Sequence, residues 1–261
     1  MNDNPQGLPQ RKGSILLLIT SLSRRPDFEV PFSVFGSLGP LAMGGWEARF
    51  AKRVGDSDLC GARNLNLAIA YVNKFDYLMM LDADVSYDAL AIKKLVDWNV
   101  DLVFGAYRKK TDKVAYSVRN KPGVRELVDP HTREVRKDGL LDCDGGPGGF
   151  MLLSRKCMAG LIEAHADLWY EEDEAPGGKA WNIFEFPVRD HKRTGEDIFL
   201  CERWRALGGT VWCDPHIRLH HHGDKDYEGV FADYFWDAVK NEAEAKAANA
   251  SMAVLIDGQI A

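Results

Sequence analysis

The chain has 261 residues, 46% of them apolar and 28% charged, so it has material for a large globular core and is not a disordered polymer. Its 33 basic against 39 acidic residues leave a net charge of −6, which excludes a wholly basic nucleic-acid binder but not a local basic patch. Five cysteines (Cys60, Cys143, Cys157, Cys201 and Cys213) include no C-x-x-C pair, which argues against a disulfide framework or zinc ribbon and for a reducing, cytoplasmic compartment, the host's if the chain is phage-encoded.

Residues 1–13 are polar and proline-bearing and read as a flexible leader. Arg11-Lys12 before Ile15–Ile19 imitates a short signal peptide, but no small-x-small cleavage site follows. Residues 14–20 are a continuous apolar run ending in Thr20-Ser21, the pattern of a central parallel strand. No run of about 18 apolar residues occurs, so no transmembrane helix is expected. In 61–74, Leu65, Ala68, Ile69 and Val72 fall at helical spacing. A second buried strand covers 75–81, a helix 87–97 and a third strand 101–105. Strand, helix, strand, helix, strand predicts an α/β sheet, mostly parallel, with crossover helices. Ligands of such sheets sit beyond the carboxyl ends of the strands, which puts Thr20-Ser21 and Asp82–Asp84 on one rim.

Further on, 113–138 reads as short polar strands and turns, 144–149 as a glycine-rich loop, 150–153 as a strand and 156–164 as a helix. Residues 170–180 read as a mobile loop, and 195–207 as a helix stopped by Gly208-Gly209. One or two strands over 210–221 run into His220-His221-His222, and 228–248 is a terminal helix. No repeat or long linker divides the chain: 14–230 is expected to be one domain and 231–261 a C-terminal helix and tail.

Several groups carry chemistry. Asp82 and Asp84, at i and i+2 on a strand end, point the same way on strand alternation and suit a hard divalent cation; they are equally explained as helix caps. Glu196-Asp197 opens a helix, where the dipole favours acids and where a general base could sit. Three consecutive histidines cannot share one strand face, and with no cysteine or histidine at zinc spacing nearby a structural zinc site is not expected. The loop Gly145–Gly149 enters a strand, so it is no dinucleotide fingerprint; it is either bare backbone close to something or a turn. Arg63 could hold a phosphate or simply face solvent. Between Arg108 and Lys121 six basic residues face one acid, either a solvated hairpin or a polyanion contact.

In order, Thr20-Ser21, Ala62-Arg63-Asn64, LMMLDADV, GPGGFMLLSR, TGEDIFLCERWRALGG, WCDP and LHHHG followed by Tyr227-Glu228-Gly229 resemble nucleotide-sugar glycosyltransferases of the GT-A fold, close to the family 2 type of bacteria and phages. The resemblance spans roughly residues 14–230 and implies a Rossmann-like sheet with a smaller mixed sheet on the acceptor side. It implies Asp84, Asp82 and His221 (His220 as the register alternative) at Mn2+ or Mg2+, with Asp82 also reaching the ribose. It implies Asp197, or its neighbour Glu196, as the base of an inverting transfer. Thr20, Ser21, Arg24 and Arg63 would line the nucleotide pocket, and the Gly146–Gly149 loop, with Gly148 and Gly149, would lie beside the donor sugar or the acceptor. The donor would be a nucleoside-diphosphate sugar, UDP-linked in the first instance. The acceptor would be a glycan, a lipid-linked saccharide or a modified base in phage DNA, with segment 170–195 closing over the site. A phosphoester hydrolase built on the same Asp/His cluster is the alternative.

Overall fold

Every residue of strand β1 (Gly13–Ser21) is buried, so it has no solvent face and belongs in the middle of a covered sheet. The computed structural model describes residues 10–21, 25–55 and 57–257, and their side chains except at 54 and 245–257. After β1 come α1 (Glu29–Met43), β2 (Trp46–Val54), α2 (Leu59–Val72) and β3 (Tyr77–Asp82). β1 pairs in parallel with β2 on one side and β3 on the other, as strand–helix–strand units do. Next are β4 (Val85–Tyr87), α3 (Ala91–Asp97), β5 (Leu102–Gly105), β6 (Arg119–Asn120), β7 (Leu141–Gly145), β8 (Phe150–Ser154) and α4 (Arg155–Ala164). Two hairpins, β9 (Trp169–Glu171) with β10 (Lys179–Trp181) and β11 (Val188–Arg189) with β12 (Lys192–Arg193), lead to α5 (Glu196–Ala206). The chain continues through β13 (Val211–Asp214), β14 (Arg218–His222), β15 (Asp226–Val230) and α6 (Phe231–Asp257).

The main sheet has the order β2-β1-β3-β8-β5-β13-β7-β6. Only β8 and β7 run against the other strands, so the sheet is mostly parallel by direction, as expected. The period-2 alternation of its strands sorts the core into two layers. Leu16, Leu18, Leu78, Met80 and Phe104 pack with α2, α4, α5 and α6. Ile15, Leu17, Met79, Leu81 and Val103 pack with α1 and α3. The smaller sheet, β15-β14-β4, is wholly antiparallel and not mixed, because β14 and β15 join through a tight hairpin and β4 pairs antiparallel on the other side.

Four expectations change. α1 and β2 had no counterpart in the pattern: α1 carries Pro31, Gly36, Gly39 and Pro40, all poor helix formers, and β2 is an edge strand. The helix expected from residue 87 starts at Ala91, because Tyr87 belongs to β4, which pairs with β14. Residues 170–180 are no free loop: β9 and β10 pair, and Ala180, Ile183 and Phe184 are fully buried. β15 was missed ahead of α6. The expected leader lies outside the described residues as far as residue 9, while Lys12 N–H donates to the Gly45 carbonyl (2.8 Å). Gly45 turns there at φ +85°, and a Cβ on it would meet the Gln10 carbonyl at 2.4 Å. Among the described residues no helix is long and apolar enough to cross a membrane.

α1 covers the sheet with Val30, Val34 and Leu41 while Phe28, Phe32, Phe35 and Met43 stay exposed. Phe104→Ala should therefore cost about 3–5 kcal/mol of unfolding free energy, and Phe35→Ser less than about 0.5. Urea denaturation measures both; a comparable loss at Phe35 would place α1 the other way round.

Candidate active site

The carboxyl ends of β1 and β3, the start of α5, the loop before β8 and the middle of β14 converge on one rim. A cleft of about 580 Å³ opens there, lined by Thr20, Ser21, Asp27, Asp82, Asp84 and His222 among others. Main-chain bonds knit the rim: Asp82 N–H donates to Gly149 (2.9 Å) and Ala83 N–H to Thr20 (3.1 Å).

Behind the cleft lies Arg63, only 3% exposed. Its guanidinium donates to Glu196 Oε1 through Nη1 and to Asp82 Oδ1 through Nη2 (3.0 Å). Burial alone would lower its pKa; Asp82, Glu196 and Asp197 together outweigh that and push it up, so it stays a cation. Burial pushes the Glu196 carboxyl up, against the pull of Arg63. The glycines now have a reason. A Cβ on Gly148 would meet Arg63 Nη1 at 2.4 Å, and one on Gly149 would meet Asp82 Oδ2 at 2.2 Å and the Tyr107 hydroxyl at 2.5 Å. Bare backbone is what lets this loop close over the ion-pair network.

α2 supplies the scaffold with three adjoining polar residues. Asn64 Oδ1 accepts from the N–H groups of Ile183 and Phe184 (2.9 and 2.7 Å), and Asn66 donates to the Thr20 hydroxyl (3.0 Å). Arg203 also donates to the carbonyls of Asn182 and Ile183. These bonds tie down the middle of segment 170–195, so a lid over its whole length does not fit.

The second centre is Asp84. A turn at 83–84 breaks the strand alternation, so the two aspartates do not share one set of partners. Asp82 serves Arg63 and Tyr107 (3.4 Å), whereas Asp84 Oδ2 lies 2.5 Å from Lys110 Nζ and 3.5 Å from His221 Nε2. Burial alone would raise the Asp84 carboxyl; its bonds to His221 and Lys110 outweigh that and hold it at about 2. His221 Nδ1 lies 2.7 Å from the Arg108 carbonyl, a pure acceptor, so Nδ1 carries the hydrogen and Nε2 faces the carboxylate. An imidazole nitrogen and a carboxylate oxygen converging this way need a cation or a proton between them. The pair fits a divalent metal of the Mn2+ type.

The sequence-derived site is thus rearranged in part. Asp84 and His221 come together; Asp82 belongs to the Arg63 network and completes no three-ligand cluster with them among the described residues. Arg63 is buried against two carboxylates and is not among the residues lining the cleft. Glu196 is buried on Arg63 and is poorly placed as a base. Asp197 is half-buried, held by the N–H groups of Gly148 (3.3 Å) and Ile198 (2.7 Å). Thr20 and Ser21 line the cleft; Arg24 lies outside the described residues. Two residues were missed. Tyr107 is kept protonated by burial, accepts from Gly149 N–H (3.2 Å) and meets the His221 ring edge-on at 4.7 Å. Lys110 sits on Asp84. The available signal was position: both follow β5, whose end lies on the same rim. Within the basic stretch, Lys110, Arg119 and Lys121 pair with Asp84, Glu202 and Asp142.

No protein-family model matches the sequence, and neither does any curated protein. Among solved structures, A197 from STIV superposes with a TM-score of 0.46 at 16% identity, over 81% of this chain and 86% of that one. TarS 1–349 of S. aureus gives 0.41 at 10% identity, over 83% and 59%. GalNAc-T7 with UDP, GalNAc and Mn2+ gives 0.45 at 10% identity, over 80% and 44%. The chain thus spans less than two thirds of the latter two. Superpositions this loose say nothing of what the chain does; its own side chains must decide that.

Removing Arg63 leaves buried carboxylates without a partner. Arg63→Met should cost about 3–5 kcal/mol, and adding Glu196→Gln should recover part of the loss. A denaturation cycle over the four proteins reads the coupling; additive losses would mean the two side chains do not act as a pair.

Proposed function

We propose that this chain is a metal-dependent glycosyltransferase of the GT-A type, moving a sugar from a nucleoside-diphosphate donor to an acceptor hydroxyl. The observation that carries the reading is His221 Nε2 meeting the carboxylate of Asp84, a residue that lines the cleft. Among the described residues lining that cleft, Asp27, Asp82 and Asp84 outnumber the one arginine, Arg25. A diphosphate would be repelled there unless a cation came with it.

Asp84 and His221 would hold the ion, and the diphosphate would complete its coordination. When bound, such an ion neutralises charge growing on the leaving diphosphate. Asp82 is immobilised by Arg63 and Tyr107, so its remaining lone pairs can take hydrogens from donor hydroxyls in a fixed place. Asp197, at the edge of the Gly148–Gly149 backbone, would take the acceptor proton in an inverting displacement. Lys110 neutralises Asp84 when no metal is bound and must release it when one is. Because Arg119 and Lys121 are engaged by Glu202 and Asp142 within the molecule, a saccharide hydroxyl fits as acceptor better than DNA. A hydrolase is disfavoured on similar grounds. Catalytic metals are usually held by three protein ligands, and among the described residues the cleft brings together two.

Mn2+ binding followed by electron paramagnetic resonance tests the ligand assignment. Asp84→Asn should weaken it at least tenfold or so. Lys110→Met should tighten it roughly two- to fivefold, since a half-exposed ion pair supplies ~0.2–1 kcal/mol. No change in either variant would remove the metal from this pair.

Thermal shifts with UDP-, GDP-, dTDP- and CMP-sugars, with and without Mn2+, test the donor. Stabilisation by one nucleotide, only with metal and lost in Asp84→Asn, is the expected result; no stabilisation by any would sink glycosyl transfer. Once a donor is known, Asp197→Asn should lower kcat about 10²–10⁴-fold and leave donor affinity unchanged.

A further inference from the structure

We infer that the β14–β15 hairpin carries a second divalent-metal site, of the zinc class, made by His220, Asp226 and Glu228 with His222 as fourth ligand. His222 also reaches the cleft, where its Nε2 lies 3.7 Å from Asp27 Oδ1, but the site does not need the ion proposed for Asp84 and His221. Alternation along β14 sends His221 to Asp84 and leaves His220 and His222 on the opposite face. The register of β15 then sets Glu228 across from His220 and Asp226 across from His222. Directly opposed residues of an antiparallel pair share a face. Two imidazoles and two carboxylates are therefore gathered on one side of two strands.

The distances suit an ion. One ligating atom each from His220, Asp226 and Glu228 lie within 4.8 Å of one another. Asp226 stands between the histidines, 2.7 Å from His220 Nδ1 through one oxygen and 3.9 Å from His222 Nδ1 through the other. The two rings are nearly parallel, 13° apart with centroids 6.3 Å apart. A tetrahedral ion with bonds of ~2.1 Å spaces its ligands about 3.4 Å apart, so small side-chain movements would close the set. His222 already has the outer partner that metal-bound histidines use: its Nε2 lies 2.7 Å from the Ser86 hydroxyl, leaving Nδ1 toward Asp226. What an ion would displace is cheap. The Arg218–Glu228 ion pair is half-exposed, and the His220–Asp226 bond is open to solvent. A nitrogen-and-oxygen set prefers Zn2+ to Mn2+ or Mg2+. Such an ion would staple β14 to β15 and fix the residues on either side of His221.

No histidine or cysteine at zinc spacing marks this site in the sequence, because half of its ligands are carboxylates. The carboxylates come from β15, a strand the pattern did not reveal.

The test uses the full chain without a histidine tag, stripped of metal by chelation and titrated with Zn2+ by calorimetry and with Co2+ by visible absorption. One binding equivalent should be lost in His220→Ala and in Asp226→Asn and kept in Asp84→Asn. Co2+ should show intense tetrahedral bands that His220→Ala abolishes, and Ser86→Ala should weaken binding about ten- to a hundredfold. All substitutions except Ser86→Ala lie on the surface, and circular dichroism of the apo proteins checks their fold. Unchanged stoichiometry and affinity in both His220→Ala and Asp226→Asn would overturn the site. Unchanged binding in Asp84→Asn bears only on the cleft.

Discussion

A guanidinium buried behind a sheet is the constraint on which the rest of this molecule depends. An isolated charge at the position of Arg63 would be prohibitive, so its two carboxylates are obligatory. They come from the end of β3 and the first turn of α5, 114 residues apart by number (196 − 82). Satisfying Arg63 therefore fixes how α2, β3 and α5 meet. It also dictates the loop before β8, because only backbone without side chains passes over the guanidinium and over Asp82. The glycines, the arginine and both acids are one device, and none of them has a free choice of partner.

That device explains how charge is divided on the rim. Asp82 and Glu196 are spent on Arg63, so they are structural in their first duty. Asp84 and Asp197 are left with weaker commitments, to a lysine and to main-chain amides. A carboxylate held by Lys110 can exchange its partner; one locked on a buried guanidinium cannot. The groups able to do chemistry are thus the ones the buried network leaves alone. Tyr107 links the two sets, touching Asp82 with its hydroxyl and His221 with its ring.

Much of this was legible in the sequence, for reasons specific to each element. β1, β3 and β5 are apolar runs because both their faces are covered, and such runs read clearly. α2 shows its stripe. α1 does not, because prolines and glycines interrupt it and its outward face is phenylalanine where charge is usual. β4 and β15 are held by partners and not by their own pattern. At the site, Asp84, His221 and the glycines stood out by residue type and order. Their contacts did not: Arg63 meets Glu196 across 133 positions, and Asp84 meets Lys110 across 26. Residue chemistry is local in the sequence, whereas the choice of partner is made by the fold. That is why Arg63 read as a phosphate ligand and Glu196 as a base.

The three histidines carry the same lesson further. From the sequence they cannot all share one strand face, and His221, or His220 in the other register, is the ligand the resemblance implies. Read as a strand they are two sets, because successive side chains must face opposite ways. One face takes His221 to Asp84; the other takes His220 and His222 to the acids of β15, with His222 also reaching the cleft beside Asp27. A single strand thus presents His221 to Asp84 and His220 and His222 to the acids of β15. Any force that orders the outer set also narrows the freedom of His221, since its two chain neighbours are then fixed. The aim of the His221 imidazole is in this way tied to chemistry on the other face of its own strand.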